Sequence, residues 1–528
     1  MKKFIMIFLA VFLAIAAIGA VAMWFTPNAP DNTDTSTDSS NDSSNSNIDV
    51  GTDLIPDDEP NITPPIEIED VEELTTTLAN IEDGAVIAIP STIELTDTLN
   101  IANKEVTFIF SEDFDKAVSV ELQEGKLTIM NGHFNGIDIS GKGTVILDNV
   151  MSQATEEGDS GLSLQNGADV TIKIVGNVSL IGAKDGDGLE VPYGTKLILT
   201  GDTLVAVGNN GVEYTGIDAY DTTDDETYLN KRGSGIGDAV HNIGSLTIKD
   251  MTSLTAKGYG NKAFGIGGGD KSVVIIENTV IEYAKGGFAQ SVFVAEDLSY
   301  GKKEAEGGCA IGVGCGVDGD YDSGILKMKN VTVKKAEGGS KSAAIGALYW
   351  TAVDITIQNC NFEEVIGGTA SAGIGGSRVA KNVSKDQQVK IFIDNSKINV
   401  IGGQYGAGIG TGYDTYCQTN FGVCYIEIIG EETVINAQGG INAAGIGTGH
   451  HSAGLAGYIL PECEINAKAG EMFIYETEFT EPQDIGYGMC KPNNELANVA
   501  YVFDIQGKAV EMPVIGVPTP TPDEGGVE

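Results

Sequence analysis

A short unit returns along most of this chain: an alternating apolar strand, a polar turn residue, a second strand, a glycine pair, and a third short strand built on Gly-Ile-Gly. Its register is tight. Asn278 is followed by Gly286 and Gly287, Asn330 by Gly338 and Gly339, and Asn359 by Gly367 and Gly368, in each case at plus eight and plus nine. Asp250 leads to Gly258 and Glu431 to Gly439 and Gly440, while Asn395 reaches Gly402 and Gly403 one residue early. Thr200 with Gly208, and Asn177 with Asp185-Gly186, extend the series toward the N-terminus. Start-to-start spacings over this series are 23, 50, 28, 52, 29, 36 and 36, so the unit is a short coil plus variable loops. No such unit buries its apolar face alone; stacked copies do, which makes the chain a solenoid.

Before each turn the side chains alternate, as in Ile355 and Ile357 or Ile391 and Ile393, so one face of each strand points into a stacked core. Ile236, Ile266, Ile311, Ile345, Ile374, Ile409 and Ile446 are each followed directly by glycine. An isoleucine flanked by glycines reads as a tight structural corner, or as a place where a ligand lies close to the backbone. Glycine at the second corner is expected to supply positive φ, and asparagine at the first to tolerate it. The pattern predicts an all-β, right-handed parallel β-helix over residues 66–512. Upstream, Ile68, Val71, Leu74, Leu78 and Ile81 recur at helical spacing, and Gly84 ends the helix before a strand near Ala85–Ile89. That helix is expected to cap the first coil, which otherwise exposes apolar core and an unpaired strand edge.

Outside the repeats, Met1-Lys2-Lys3 precedes an apolar run from Phe4 to Phe25. Two lysines before such a run direct the downstream chain across the membrane. Ala20-Val21-Ala22 resembles a signal cleavage site, whereas the run's length and its Trp24-Phe25 end favour a retained transmembrane helix. The expectation is therefore an extracellular, cell-surface protein, anchored by residues 1–27 or released after cleavage. Residues 28–65 and 513–528 are rich in Asp, Asn, Ser, Thr and Pro and read as a disordered stalk and tail.

With 31 basic against 75 acidic side chains, the formal charge is −44. That excludes nucleic acid as a partner and favours cations, Ca²⁺ above all. Seven cysteines form no CxxC pair, so they read as small buried hydrophobes rather than as a zinc site or a disulfide framework.

At these repeats the chain resembles a large group of extracellular Gly-Ile-Gly β-helix proteins of Gram-positive bacteria, often labelled carbohydrate-binding or adhesin-like. Ser371-Ala372-Gly373-Ile374-Gly375-Gly376 and Asn442-Ala443-Ala444-Gly445-Ile446-Gly447 look like the group's repeat. Ala85–Ile89 followed by Leu99-Asn100-Ile101 looks like its first rung. The likeness spans roughly residues 70–470 and is loosest between 105 and 170, where the glycine corners are not legible. It is specific for fold and weak for activity.

Materials for catalysis are scarce in the sequence. The NTD, DD, GHG and RIK patterns of polygalacturonase-like hydrolases do not occur as a set: GHG and RIK are missing, NTD falls only at Asn32-Thr33-Asp34 and DD only at Asp57-Asp58 and Asp224-Asp225, while Asp185-Gly186-Asp187-Gly188 is only a loose echo of the acidic pair. A lyase needs Arg or Lys to take a proton, and the only arginines are Arg232 and Arg378. His450-His451 sits on a loop after Gly447-Thr448-Gly449 and reads as exposed.

Two long excursions, Asn209–Gly233 and Phe288–Gly307, leave the coil at the same corner and so share one side of the solenoid. The first combines Tyr214, Asp218, Tyr220, Asp221, Asp224, Asp225, Glu226, Tyr228 and Arg232. Aromatic faces suit sugar stacking, and the carboxylates suit Ca²⁺ or sugar hydroxyls. Candidate ligand-binding residues are Tyr214, Asp218, Tyr220, Asp221, Tyr228 and Arg232; candidate Ca²⁺ ligands are Asp224 and Asp225. Asp318, Asp320 and Asp322 add oxygen ligands at alternate positions of a second acidic loop.

The sequence thus favours a monomeric, non-catalytic surface protein that binds an extracellular polysaccharide or host glycan with Ca²⁺. A polysaccharide lyase or glycoside hydrolase acting on an acidic polysaccharide near Arg232 is the alternative. A structural or protein-binding adhesin is the third reading.

Overall fold

The computed structural model describes residues 64–165, 167–212, 232–238, 243–269, 271–287, 307–314, 324–348, 351–377, 389–413, 424–450, 452, 455–472, 481–489 and the strand Phe503–Asp504. The apolar run Phe4–Phe25, residues 28–63 of the stalk and the tail lie outside them. Among the described residues no helix is long and apolar enough to cross a membrane.

The chain winds into a parallel β-helix whose coils each contribute up to three strands, in parallel register with the coils before and after. In the first sheet, Val353–Gln358 pairs in parallel with Gly324–Lys329 on one side and Val389–Asp394 on the other. Asn361–Ile366, Lys397–Ile401, Val434–Gln438 and Glu464–Lys468 succeed one another in the second sheet. The third sheet stacks Ile236, Ile266, Ile311, Ile345, Ile374, Ile409, Ile446 and Ile485 residue on residue. All but Ile485 are fully buried in one continuous apolar core. The solenoid and its register are those the repeat predicts.

Between residues 105 and 170 no glycine corner is legible because the chain turns there without ending its strands. Val118–Met130 and Ile137–Asp148 each run on from the third sheet into the first, with a bulge between Gln123 and Gly125 marking the bend. Phe108, Phe110, Phe114 and Phe134 fill this wider section, their rings meeting edge-on or tilted at 4.7–6.1 Å.

The capping helix forms over Val71–Asn80. Asp70 caps it by accepting the backbone N–H of Glu73, Leu74 is fully buried, and Gly84 turns the chain at φ +82° into the strand Ala85–Ile89.

The corners divide their work differently from the sequence expectation. At the first corner Asp250, Asn278, Asn330, Asn359 and Asn395 do take positive φ, and the side chains of Asn330, Asn278 and Asp250 form a ladder of 2.9 Å hydrogen bonds. Where the repeat reads Asn177, Thr200 or Glu431, a neighbouring glycine takes the turn instead: Gly176, Gly201 and Gly430. The glycine pairs at the second corner do not lie in the left-handed region. They are required by crowding: a Cβ on Gly368 would sit 1.5 Å from the Gly339 carbonyl oxygen of the preceding coil. Positive φ belongs to the third strand, where Gly237, Gly346, Gly375, Gly410, Gly447 and Gly486 lie between 130° and 140°.

Four cysteines fall among the described residues, and all are free thiols. Cys309, Cys360 and Cys424 are buried in the core, and burial pushes the Cys360 and Cys424 thiols up to about 11 and about 12. They behave as the small hydrophobes expected of them.

Candidate functional site

The third sheet departs from its own repeat in its early coils. Its outward position holds Asp138, then Ser163, then Glu190, before becoming glycine at Gly237 and Gly267, all in one register. Strand alternation places these side chains outside, while Leu162, Leu189 and Ile236 beside them face the core.

Asp187 joins them from the corner three residues before Glu190. The corner is made of Gly186 and Gly188, which let backbones touch: a Cβ on Gly186 would lie 1.8 Å from the Asp159 carbonyl oxygen. The neighbouring coil locks it in place. Gly188 donates to the Ser234 carbonyl at 2.8 Å, and Ser234 returns its own N–H to the Asp187 carboxylate. Asp238, buried at 6% exposure on the next strand, completes a carboxyl trio with Asp187 and Glu190.

The carboxyls sit in unlike surroundings. Removal from water, then the charges of Glu190 and Asp238, push Asp187 well above the usual carboxylate range; the Ser234 N–H and the Arg232 guanidinium pull weakly the other way. Glu190 is also raised by burial, yet it accepts hydroxyl hydrogen bonds from Ser163 at 2.8 Å and Ser160 at 3.0 Å, both of which favour its charged form. Asp138, two coils earlier, is raised by burial and held at 3.2 Å by the Ser119 hydroxyl. Asp187 and Glu190 are nevertheless only half-buried, so water or a ligand reaches them.

Arg232 is the one candidate from the sequence whose place the structure describes. Arg232-Gly233 forms a short antiparallel pair with Tyr259-Gly260, which brings the end of the first excursion back onto the coil beside Asp187. Asn209, at its beginning, is fully buried, accepts the Asp185 N–H at 2.9 Å and donates to the Val212 carbonyl at 2.5 Å. Tyr214, Asp218, Tyr220, Asp221, Asp224, Asp225, Tyr228, Asp318, Asp320 and Asp322 lie outside the described residues. Among the described residues, no group of three or more His, Cys, Asp or Glu side chains is arranged to hold a metal ion.

Sequence reading finds in Asp187 only a loose echo of an acidic pair, and it misses Glu190 and Asp238. The signal lies in register rather than in motif: aligning Leu189-Glu190 with Ile236-Gly237 exposes an acid where later coils carry glycine. His450 is a correction. It is buried at 8% exposure, not exposed, with its ring 5.4 Å from those of both Tyr405 and Tyr413; His451 lies outside the described residues.

Two carboxyls both raised in proton affinity by burial but held by unlike hydrogen-bond partners, beside an arginine on an accessible wall, are equipment suited to acid–base chemistry. No protein-family model, curated protein or solved structure matches the chain.

Proposed function

We propose that this protein is an exported, surface-associated glycoside hydrolase acting on an extracellular polysaccharide, with its active site on the third sheet around Asp187 and Glu190. The observation that carries this reading is the unequal treatment of the two carboxyls. Burial and like charge favour the protonated form of Asp187, whereas Glu190, also raised by burial, has two serine hydroxyls that support its ionised form.

In such a site Asp187 donates its proton to the departing glycosidic oxygen, and Glu190 acts from the other side as base toward water or as nucleophile. The charge of Asp238 adds to burial and to Glu190 in favouring the protonated form of Asp187. Arg232 supplies a donor fork for a substrate carboxylate or hydroxyl. The tyrosines and carboxylates of the first excursion, Asn209–Gly233, are of the types that contact sugars, and Asp224 and Asp225 would be the residues to hold Ca²⁺.

The test is incubation with polygalacturonate and with neutral polysaccharides, monitoring reducing ends and unsaturated-product absorbance separately, with and without calcium. New reducing ends without unsaturation, lost in Asp187→Asn and in Glu190→Gln, support hydrolysis. Unsaturated product lost in Arg232→Ala would make the protein a lyase. Glycan retention without turnover would return it to the non-catalytic binding protein that the sequence favours.

A further inference from the structure

A second depression lies on a different face, toward the C-terminal end of the solenoid. It is a groove of about 300 Å³ on the outer surface of the second sheet, within the size range of small-ligand sites. A bulge makes it. Between Phe362 and Val365 two residues, Glu363 and Glu364, oppose the single Asn399, and the strand bends away from the later coils.

Asn399, Asn436 and Asn466 form the floor in one parallel register, one per coil, all exposed. Their amides are chained: Asn466 donates to Asn436 at 3.1 Å, and Asn436 donates to Asn399 at 2.7 Å. Each link uses one of two N–H donors and one of two acceptor sites on an amide, and Asn466 also donates to Glu464 at 3.4 Å, so every coil still offers an acceptor to a ligand and Asn399 and Asn436 a donor as well. The offer repeats at the coil spacing of about 4.8 Å. Along one edge runs Ile401, which is 46% exposed, succeeded in register by Gln438 and Lys468.

We infer that this groove binds a linear neutral polysaccharide laid along the solenoid axis, independently of any turnover at Asp187 and Glu190. A regular row of amide acceptors, with donors at Asn399 and Asn436, matches a polymer that presents hydroxyls at regular intervals, and exposed Ile401 offers an apolar contact to a sugar ring. Charge selects the class. Glu363 and Glu364 against Lys468 leave the groove slightly negative on a chain of formal charge −44, which repels a polyanion.

The experiment is affinity electrophoresis and titration calorimetry of the full chain with soluble xylan, mixed-linkage glucan and galactomannan, using polygalacturonate as the charged comparison. The triple variant Asn399→Ala/Asn436→Ala/Asn466→Ala changes only exposed side chains, and circular dichroism verifies its fold. A second variant, Ile401→Asp, removes the apolar contact of the groove while leaving the ladder in place. Wild-type chain is expected to bind at least one neutral polymer, with affinity falling roughly tenfold or more in both variants. Asp187→Asn should bind as wild type, which separates this inference from the hydrolase reading.

Failure of the wild-type chain to bind any neutral polymer overturns the inference. So does binding unchanged in both variants. A concentration-dependent dimer seen by light scattering and abolished by the same substitutions would overturn it too, assigning the groove to a second copy of the chain.

Discussion

The backbone N–H of Ser234 donates to the carboxylate of Asp187, joining residues 47 apart in sequence but in adjacent coils. This bond places a carboxyl against the next coil while leaving Glu190 and Asp238 close enough to raise its proton affinity. The site therefore depends on stacking, and its carboxyls oppose stability at neutral pH.

Asp187→Asn tests that opposition. The folded-state pKa of Asp187 is raised, so the stability it contributes is complete below about pH 4, its unfolded value, and is lost as pH rises through the folded value. Asparagine has no proton to lose and still accepts the Ser234 N–H. The variant should melt higher than wild type at pH 7, with the difference vanishing near pH 4, as thermal denaturation across pH will show. Hydrolytic activity should fall on the order of a hundredfold or more.

Ser163→Ala removes one hydroxyl that favours ionised Glu190. The Glu190 pKa should rise further, moving the acidic limb of the pH–rate profile to higher pH at little cost in stability. Ser160→Ala should do the same but cost about 1 kcal/mol or more, because the Ser160 hydroxyl also accepts the Asp187 N–H at 3.2 Å. Unchanged profiles in both variants would remove Glu190 from the proposed chemistry.

Gly368→Ala and Gly375→Ala separate crowding from dihedral strain. Gly375 sits at φ +131°, and its Cβ would lie 2.0 Å from the Gly410 oxygen; Gly368 lies outside the left-handed region, but its Cβ would lie 1.5 Å from the Gly339 oxygen. Both substitutions should destabilise by about 3 kcal/mol or more in chemical denaturation. Ile374→Asp, which buries an unpaired carboxylate between coils, should be at least as severe. A benign Gly368→Ala would mean the coils can separate locally without loss.

Replacing residues 213–231 with a short glycine-containing turn should leave the melting curve nearly unchanged, since closure entropy depends weakly on loop length. Sequence alone suggests cutting from Asn209 to Gly233. The buried bonds of Asn209 and the position of Arg232 show that the ends must stay. The shortened chain should lose polysaccharide or calcium binding at this site, as calorimetry will show, while keeping neutral-polymer binding at the Asn436 groove.

The solenoid was legible from residue order alone, because each of its signals is local. Alternating Ile355 and Ile357 sets which face is inside, Asn359 sets the turn, and Ile374 with its glycines sets the third strand, all within one coil. The capping helix was legible for the same reason, since its apolar spacing and the Gly84 that ends it lie within a few residues. Residue order could not show why the second-corner glycines are needed, since the atom that forbids a side chain on Gly368 belongs to Gly339 in another coil. The acidic site was hidden in the same way. Asp187, Ser160, Arg232, Ser234 and Asp238 are scattered through a segment broken by a long excursion, and no spacing rule connects them. Only stacking brings them to one wall, where burial and neighbouring charge, rather than residue type, set the proton affinity of each carboxyl.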